Sequence, residues 1–134
     1  MILMLKSNFI NSNILEVVSK MGHFDTICIC DAGLPIPKEV VRIDLSYVKG
    51  KPPFLDLVNS FAEIFSFQKV ILASEIKTEN SENLNALKKI IDPNKMEFLP
   101  HEDFKKLTKN CVAIIRTGEC TKFSNIILES GVNF

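Results

Sequence analysis

The sequence predicts an α/β domain whose sheet is covered by helices on both faces. Two observations carry this reading. Short β-branched apolar runs alternate with segments whose apolar residues recur at helical spacing. No internal repeat, low-complexity stretch or Gly/Ser linker interrupts that alternation over 134 residues, about one domain's worth. Residues 1–134 are therefore read as a single domain, long enough to bury a core without disulfides or a structural metal.

Each element has its own signal. Ile14, Leu15, Val17, Val18 and Met21 lie on one helical face; Asn13 with Glu16 suits a capping box and Gly22 a stop. Thr26–Cys30 is a β-branched apolar run, hence a buried strand. Asp31-Ala-Gly-Leu-Pro-Ile-Pro37 must be a loop, and Val40–Leu45 a more exposed strand. Pro53 suits the first position of a helix carrying Phe54, Leu57, Val58, Phe61, Ile64 and Phe65. A strand at Lys69–Ala73 precedes a helix at Glu82–Ile91, which Asp92-Pro93 ends. Glu97–Leu99 is a weak strand, Pro100 opens a short helix with Phe104 and Leu107, and Val112–Ile115 and Ile126–Leu128 are the last strands.

Composition excludes more than it names. The chain is 46% hydrophobic and 24% charged, ordinary globular usage. Sixteen basic residues balance sixteen acidic ones, so the basic excess of a general nucleic-acid binder is missing, and little self-repulsion opposes self-association. The apolar opening Met1-Ile-Leu-Met-Leu-Lys6 has neither the charged start nor the cleavage site of a signal peptide. Nothing approaches the eighteen apolar residues of a membrane span. Cys28, Cys30, Cys111 and Cys120 contain no C-x-x-C pair and read as buried reduced thiols, which places the protein in the cytoplasm.

Phosphate-cradling, dinucleotide, zincin and nucleophile-elbow motifs are all missing. His101-Glu102-Asp103 lacks metal-ligand spacing, because neighbours on a helix point apart. What remains is His23, His101 and Asp31, each at an element end. A helix C-terminus before His23 favours imidazolium, whereas a helix start at His101 favours the neutral ring. The competing reading makes both histidines solvated surface residues and Asp31 a loop anchor. His23 precedes the strand that Asp31 follows, and eight extended residues reach up to roughly 26 Å. Either the chain bends sharply near Gly22–Asp25, or a site using both residues comes from two subunits.

Met21-Gly-His-Phe-Asp25, Cys30-Asp-Ala-Gly-Leu-Pro-Ile-Pro37 and Arg42-Ile-Asp-Leu45 resemble the ribose pyranase and fucose mutarotase family. The resemblance continues in order through Ser74-Glu-Ile-Lys77, Pro100-His-Glu-Asp-Phe-Lys105, Ile115-Arg-Thr-Gly-Glu119, Ser124-Asn-Ile-Ile-Leu128 and Gly131-Val-Asn-Phe134. It implies a three-layer α/β/α domain with a mixed central sheet, and a cytoplasmic isomerase that interconverts β-pyranose and β-furanose D-ribose without a cofactor or metal. It further implies a ring-shaped homodecamer with active sites between subunits; the charge balance and the lack of a long apolar run point to no nucleic-acid or membrane partner.

By position the resemblance places the proton donor on His23 and sugar-binding groups on Asp31, His101 and the segment Phe123-Ser124-Asn125. Lys105, one turn beyond His101, is a further candidate for reaching the sugar. The family's pattern has Tyr where this chain has Phe123, so a phenolic hydroxyl is lost. Two other functions compete: a non-catalytic ribose-binding or regulatory module, and a mutarotase for another sugar such as fucose. Gly33-Leu34-Pro35-Ile36-Pro37 follows the ribose pattern and weighs against fucose.

Overall fold

The computed structural model describes residues 4–134, so the first three residues of the apolar opening lie outside it. The elements run α1 (Ser12–Ser19), β1 (Thr26–Cys30), β2 (Val41–Asp44), α2 (Phe54–Ile64), β3 (Phe67–Ala73), α3 (Ile76–Glu79), α4 (Ser81–Ile90), β4 (Met96–Leu99), α5 (His101–Leu107), β5 (Ala113–Arg116) and β6 (Ile126–Ser130). The six strands form one mixed sheet in the order β2-β5-β1-β6-β3-β4. β6 runs antiparallel to both neighbours, β1 and β3, while the other pairs are parallel. The carboxyl ends of the other five strands therefore gather on one side of the sheet, where open α/β folds place their ligands.

Both faces of β1 are buried, which is why it reads as an unbroken apolar run. Ile27 and Ile29 enter a core built with Ile14 of α1, Phe54, Leu57, Val58 and Phe61 of α2, and Leu84 and Leu87 of α4. Cys28 and Cys30 enter the other core, with Leu34, Ile71, Phe104 of α5, Ile114 and Ile127. The α/β/α layering is unequal. α5 and the Asp31–Pro37 loop cover the second face, so the residues before and within that thin layer stay near the surface.

Burial pushes the Cys28 thiol well up, Cys30 to about 12 and Cys111 to about 11, as expected of inert core thiols. Cys120 departs from the expectation and is exposed. Two helix starts also differ. Asn11, not Asn13, caps α1, accepting from the Ile14 N–H at 3.0 Å. Pro53 sits one position before α2 and offers no acceptor, so Glu119 Oε1 takes the Phe54 N–H at 3.0 Å from a distant loop. That same loop needs Gly118, because a Cβ there would overlap the Lys51 backbone.

Candidate active site

The end of β1, the segment before β6 and the start of α5 border an open cavity of about 240 Å³. Asp31, Gly33, Leu34, Pro35, His101, Lys122, Phe123 and Asn125 line it. Its volume falls below the roughly 300–1,000 Å³ of drug-sized sites and suits one small sugar. It lies at the seam where antiparallel β6 is inserted between β1 and β3.

Asp31 leaves β1 half-buried, with its Oδ1 accepting the Gly33 N–H at 3.0 Å. Desolvation is the largest influence on its carboxyl and raises the pKa above the ordinary value. The N–H groups of Gly33 and Leu34, the Asn125 amide and the charge of His101 pull against it. Asn125 is 1% exposed, and its Oδ1 accepts the Asp31 N–H at 2.9 Å. This bond uses the carbonyl side of the amide, while the amide also acts on the Asp31 carboxyl.

His101 is the first residue of α5. Its backbone N–H is shared between the two Glu75 carboxylate oxygens at 3.0 and 3.2 Å, so a side chain from the β3–α3 turn fixes where α5 begins. The ring packs against Phe104 and meets Phe123 edge-on, with centroids 5.0 Å apart and planes at 80°. Nδ1 of His101 is buried and has no hydrogen-bond partner among the described residues. Phe123 reaches the cavity from a backbone of φ +58°, a left-handed conformation uncommon for a bulky residue.

Ser124 stands apart from its neighbours. Its hydroxyl accepts from the Asn80 and Asn83 amides, each at 3.0 Å, and contacts Thr121 Oγ1 at 2.8 Å. Thr121 donates its own hydrogen to Glu119 Oε2 at 2.9 Å, so Ser124 must be the donor in that contact. One donor and two acceptor sites are then occupied, and Ser124 is fully buried. The hydroxyl thus ties the 121–125 segment, which the resemblance expects to bind the sugar, to α4. Lys105 likewise pairs with Glu102 at 3.0 Å and does not line the cavity.

His23 is at the other end of the sheet. β1 alone separates it from Asp31 by about 17 Å. It lines a groove of about 680 Å³ with Ser66, Ser130, Gly131 and the C-terminal residues. The chain does not bend back, so one subunit does not bring His23 to the cavity. Nor is the helix dipole a strong influence there, because α1 ends at Ser19 and such effects fade within the last turn. Instead, His23 Nε2 meets Gln68 Oε1 at 2.8 Å, and its ring stacks on Phe24 with centroids 3.9 Å apart. Gln68, Glu75 and Asn80 escaped the sequence reading, since each acts on a partner at least 26 residues away.

The model of the RbsD / FucU transport protein family matches residues 4–133. The D-ribose pyranase of Clostridium perfringens (strain SM101 / Type A) is 46% identical over 131 residues, spanning 98% of this chain and all of that protein. The D-ribose pyranase of Lactobacillus gasseri is 47% identical with the same coverage. Among solved structures, Bacillus subtilis RbsD complexed with D-ribose superposes with a TM-score of 0.94 at 45% identity, over 98% of this chain and all of that one. The fucose mutarotase of Streptococcus pneumoniae, in complex with L-fucose, shares the fold at a TM-score of 0.79 but only 23% identity, over 97% of this chain and all of that one.

Proposed function

The chain belongs to the RbsD / FucU transport protein family, and from that premise we propose that it is a cofactor-independent isomerase interconverting β-pyranose and β-furanose D-ribose, with His23 as proton donor. Relatives carrying that activity match it at 44–47% identity over their full length or nearly so. The observation that supports the reading best is the small cavity itself. Asp31, His101 and Asn125 converge there on a space of about 240 Å³, beside Phe123.

The chemistry asks for little more. His23 protonates the ring oxygen as its bond to the anomeric carbon breaks, and the anomeric hydroxyl gives up its proton as the aldehyde forms. After rotation a different hydroxyl adds to the carbonyl, losing its proton while the carbonyl oxygen gains one, so protons and electrons balance. Asp31, His101 and Asn125 hold hydroxyls in the orientation that makes reclosure fast, and Phe123 packs on the C–H face.

His23 and the cavity occupy opposite ends of β1, so a complete site takes His23 from a neighbouring subunit. The exposed apolar residues Phe24, Val132 and Phe134 near His23 suit such a contact. We read the assembly as the ring-shaped homodecamer of the resemblance, in the cytoplasm. Among the described residues no helix is long and apolar enough to cross a membrane.

Saturation-transfer NMR of D-ribose tests the reading. The protein accelerates exchange between pyranose and furanose signals, and His23→Ala abolishes the acceleration while retaining ribose binding. Unaltered exchange at protein concentrations where ribose binds would leave a sugar-binding module.

A further inference from the structure

His23 is held more elaborately than a surface histidine requires. It is exposed, yet three separate features converge on it. Phe24 adopts φ +74° and donates its N–H to Ser130 O at 3.0 Å, which turns the chain and lays the Phe24 ring on the imidazole. β3 carries a register irregularity: Phe67 pairs with Ser130 and Lys69 with Glu129, leaving Gln68 as the unpaired extra residue. Bulges of this kind re-aim a side chain, and here the re-aimed side chain is the one that meets His23. Gly131 allows the bulge its close approach, since a Cβ there would lie 3.3 Å from Gln68 Cβ.

The hydrogen bonds have a direction. Gln68 Nε2 donates to Glu129 Oε2 at 2.9 Å, and a carboxylate can only accept. Lys69 lies 3.8 Å from the other Glu129 oxygen, which keeps the carboxylate paired in place. The Gln68 amide is thereby oriented with Oε1 towards His23. A carbonyl oxygen 2.8 Å from Nε2 accepts, so Nε2 must carry a hydrogen.

We propose that Gln68 and Glu129 are positioning residues that lock His23 in the Nε2–H tautomer, leaving Nδ1 as the nitrogen that exchanges its proton with the substrate. The inference rests on the proton-transfer role of His23. In the imidazolium form both nitrogens carry hydrogen; Nδ1–H goes to the sugar oxygen and Nε2–H stays on Gln68. The relay moves no proton itself. It preserves one ring orientation and one free nitrogen through each cycle.

Long-range ¹H–¹⁵N correlation spectra of the intact assembly read the tautomer directly, and with two histidines in the chain the His23→Ala spectrum assigns the signals. Above its titration the His23 ring shows a protonated Nε2 and a bare Nδ1. Gln68→Leu, at an exposed position, mixes the two tautomers. It lowers kcat for ribose exchange on the order of tenfold and leaves KM within about twofold, the signature of misorientation rather than lost binding. Glu129→Gln, which permits either amide orientation at Gln68, gives an intermediate mixture. A wild-type ring protonated on Nδ1, or a Gln68→Leu protein with unchanged tautomer and rate, overturns the inference. Absence of ribose exchange in the wild type would remove the ribose reading, and the tautomer spectrum would still decide this one.

Discussion

Replacing Asp31 by Asn removes one charge while keeping the shape of the side chain, and it separates stability from function. Oδ1 of Asn can still accept the Gly33 N–H that Asp31 accepts at 3.0 Å. Desolvation is the largest influence on the carboxyl and raises its pKa in the folded protein. A group whose folded pKa is raised contributes stability below its unfolded pKa, near 4 for Asp, and loses that contribution as pH rises through the folded value. The wild-type protein therefore carries an ionisation penalty at neutral pH that Asp31→Asn lacks. Thermal scans should show the variant melting above wild type at pH 7, with the difference vanishing well below the unfolded pKa near 4, where the carboxyl is neutral in both folded and unfolded states. Binding moves the other way. Hydrogen bonds to a charged group contribute about 1.5–3 kcal/mol, so ribose affinity by calorimetry should fall about 10- to 150-fold. A variant that melts below wild type at pH 7 yet matches it in acid would refute the reasoning, because the carboxylate would then be a net stabiliser.

Two further substitutions probe the cavity wall. Phe123→Tyr restores the hydroxyl of the family's pattern on a ring that already sits edge-on to His101. One additional hydrogen bond of about 1 kcal/mol should tighten ribose about fivefold in the same titration, whereas unchanged affinity would mean the hydroxyl does not reach the sugar. Asn80→Ala removes the donors to Lys122 O at 2.8 Å and Ser124 Oγ at 3.0 Å, together with the cap of α4. It should cost about 1–2 kcal/mol by denaturant unfolding and raise KM for ribose more than it lowers kcat, since it loosens the segment that carries Phe123 and Asn125. An unchanged KM in a destabilised protein would separate that network from the cavity.

Much of the fold was legible because burial writes itself into short runs. Thr26–Cys30 is apolar on both faces and bounded by Asp25 and Asp31, so its limits match the strand residue for residue. Interactions between distant residues leave no such trace. The start of α2 depends on Glu119, 65 positions away from Phe54, and local capping rules place it one residue too early. The insertion of β6 between β1 and β3 follows from packing, not from any property of Ile126–Ser130 by itself. At the site, Ser124 and Asn125 are adjacent and both polar, and sequence does not tell which faces the cavity. The Asn80–Asn83–Thr121 network, made by residues in two separate segments, turns one inward to the scaffold and leaves the other for the ligand.

Strand arithmetic did foresee the separation of His23 from Asp31, and the structure gives that separation a consequence. β1 is rigid, fully buried from Ile27 to Cys30, and hydrogen-bonded on both sides. Its two ends therefore hold His23 and Asp31 at a fixed distance, with no loop motion able to join them within one chain. On the proposed reading, each subunit binds sugar at the carboxyl end of β1 and lends its histidine, at the amino end, to a neighbour's cavity. Each end can then be built for one task. The cavity carries a destabilised carboxylate beside His101, while His23 stands on an exposed surface held by a stacked ring and a single amide. On that same reading, joining the two by assembly would keep His23 away from the Asp31 carboxylate until the subunits dock, and would make catalysis, unlike binding, a property of the oligomer.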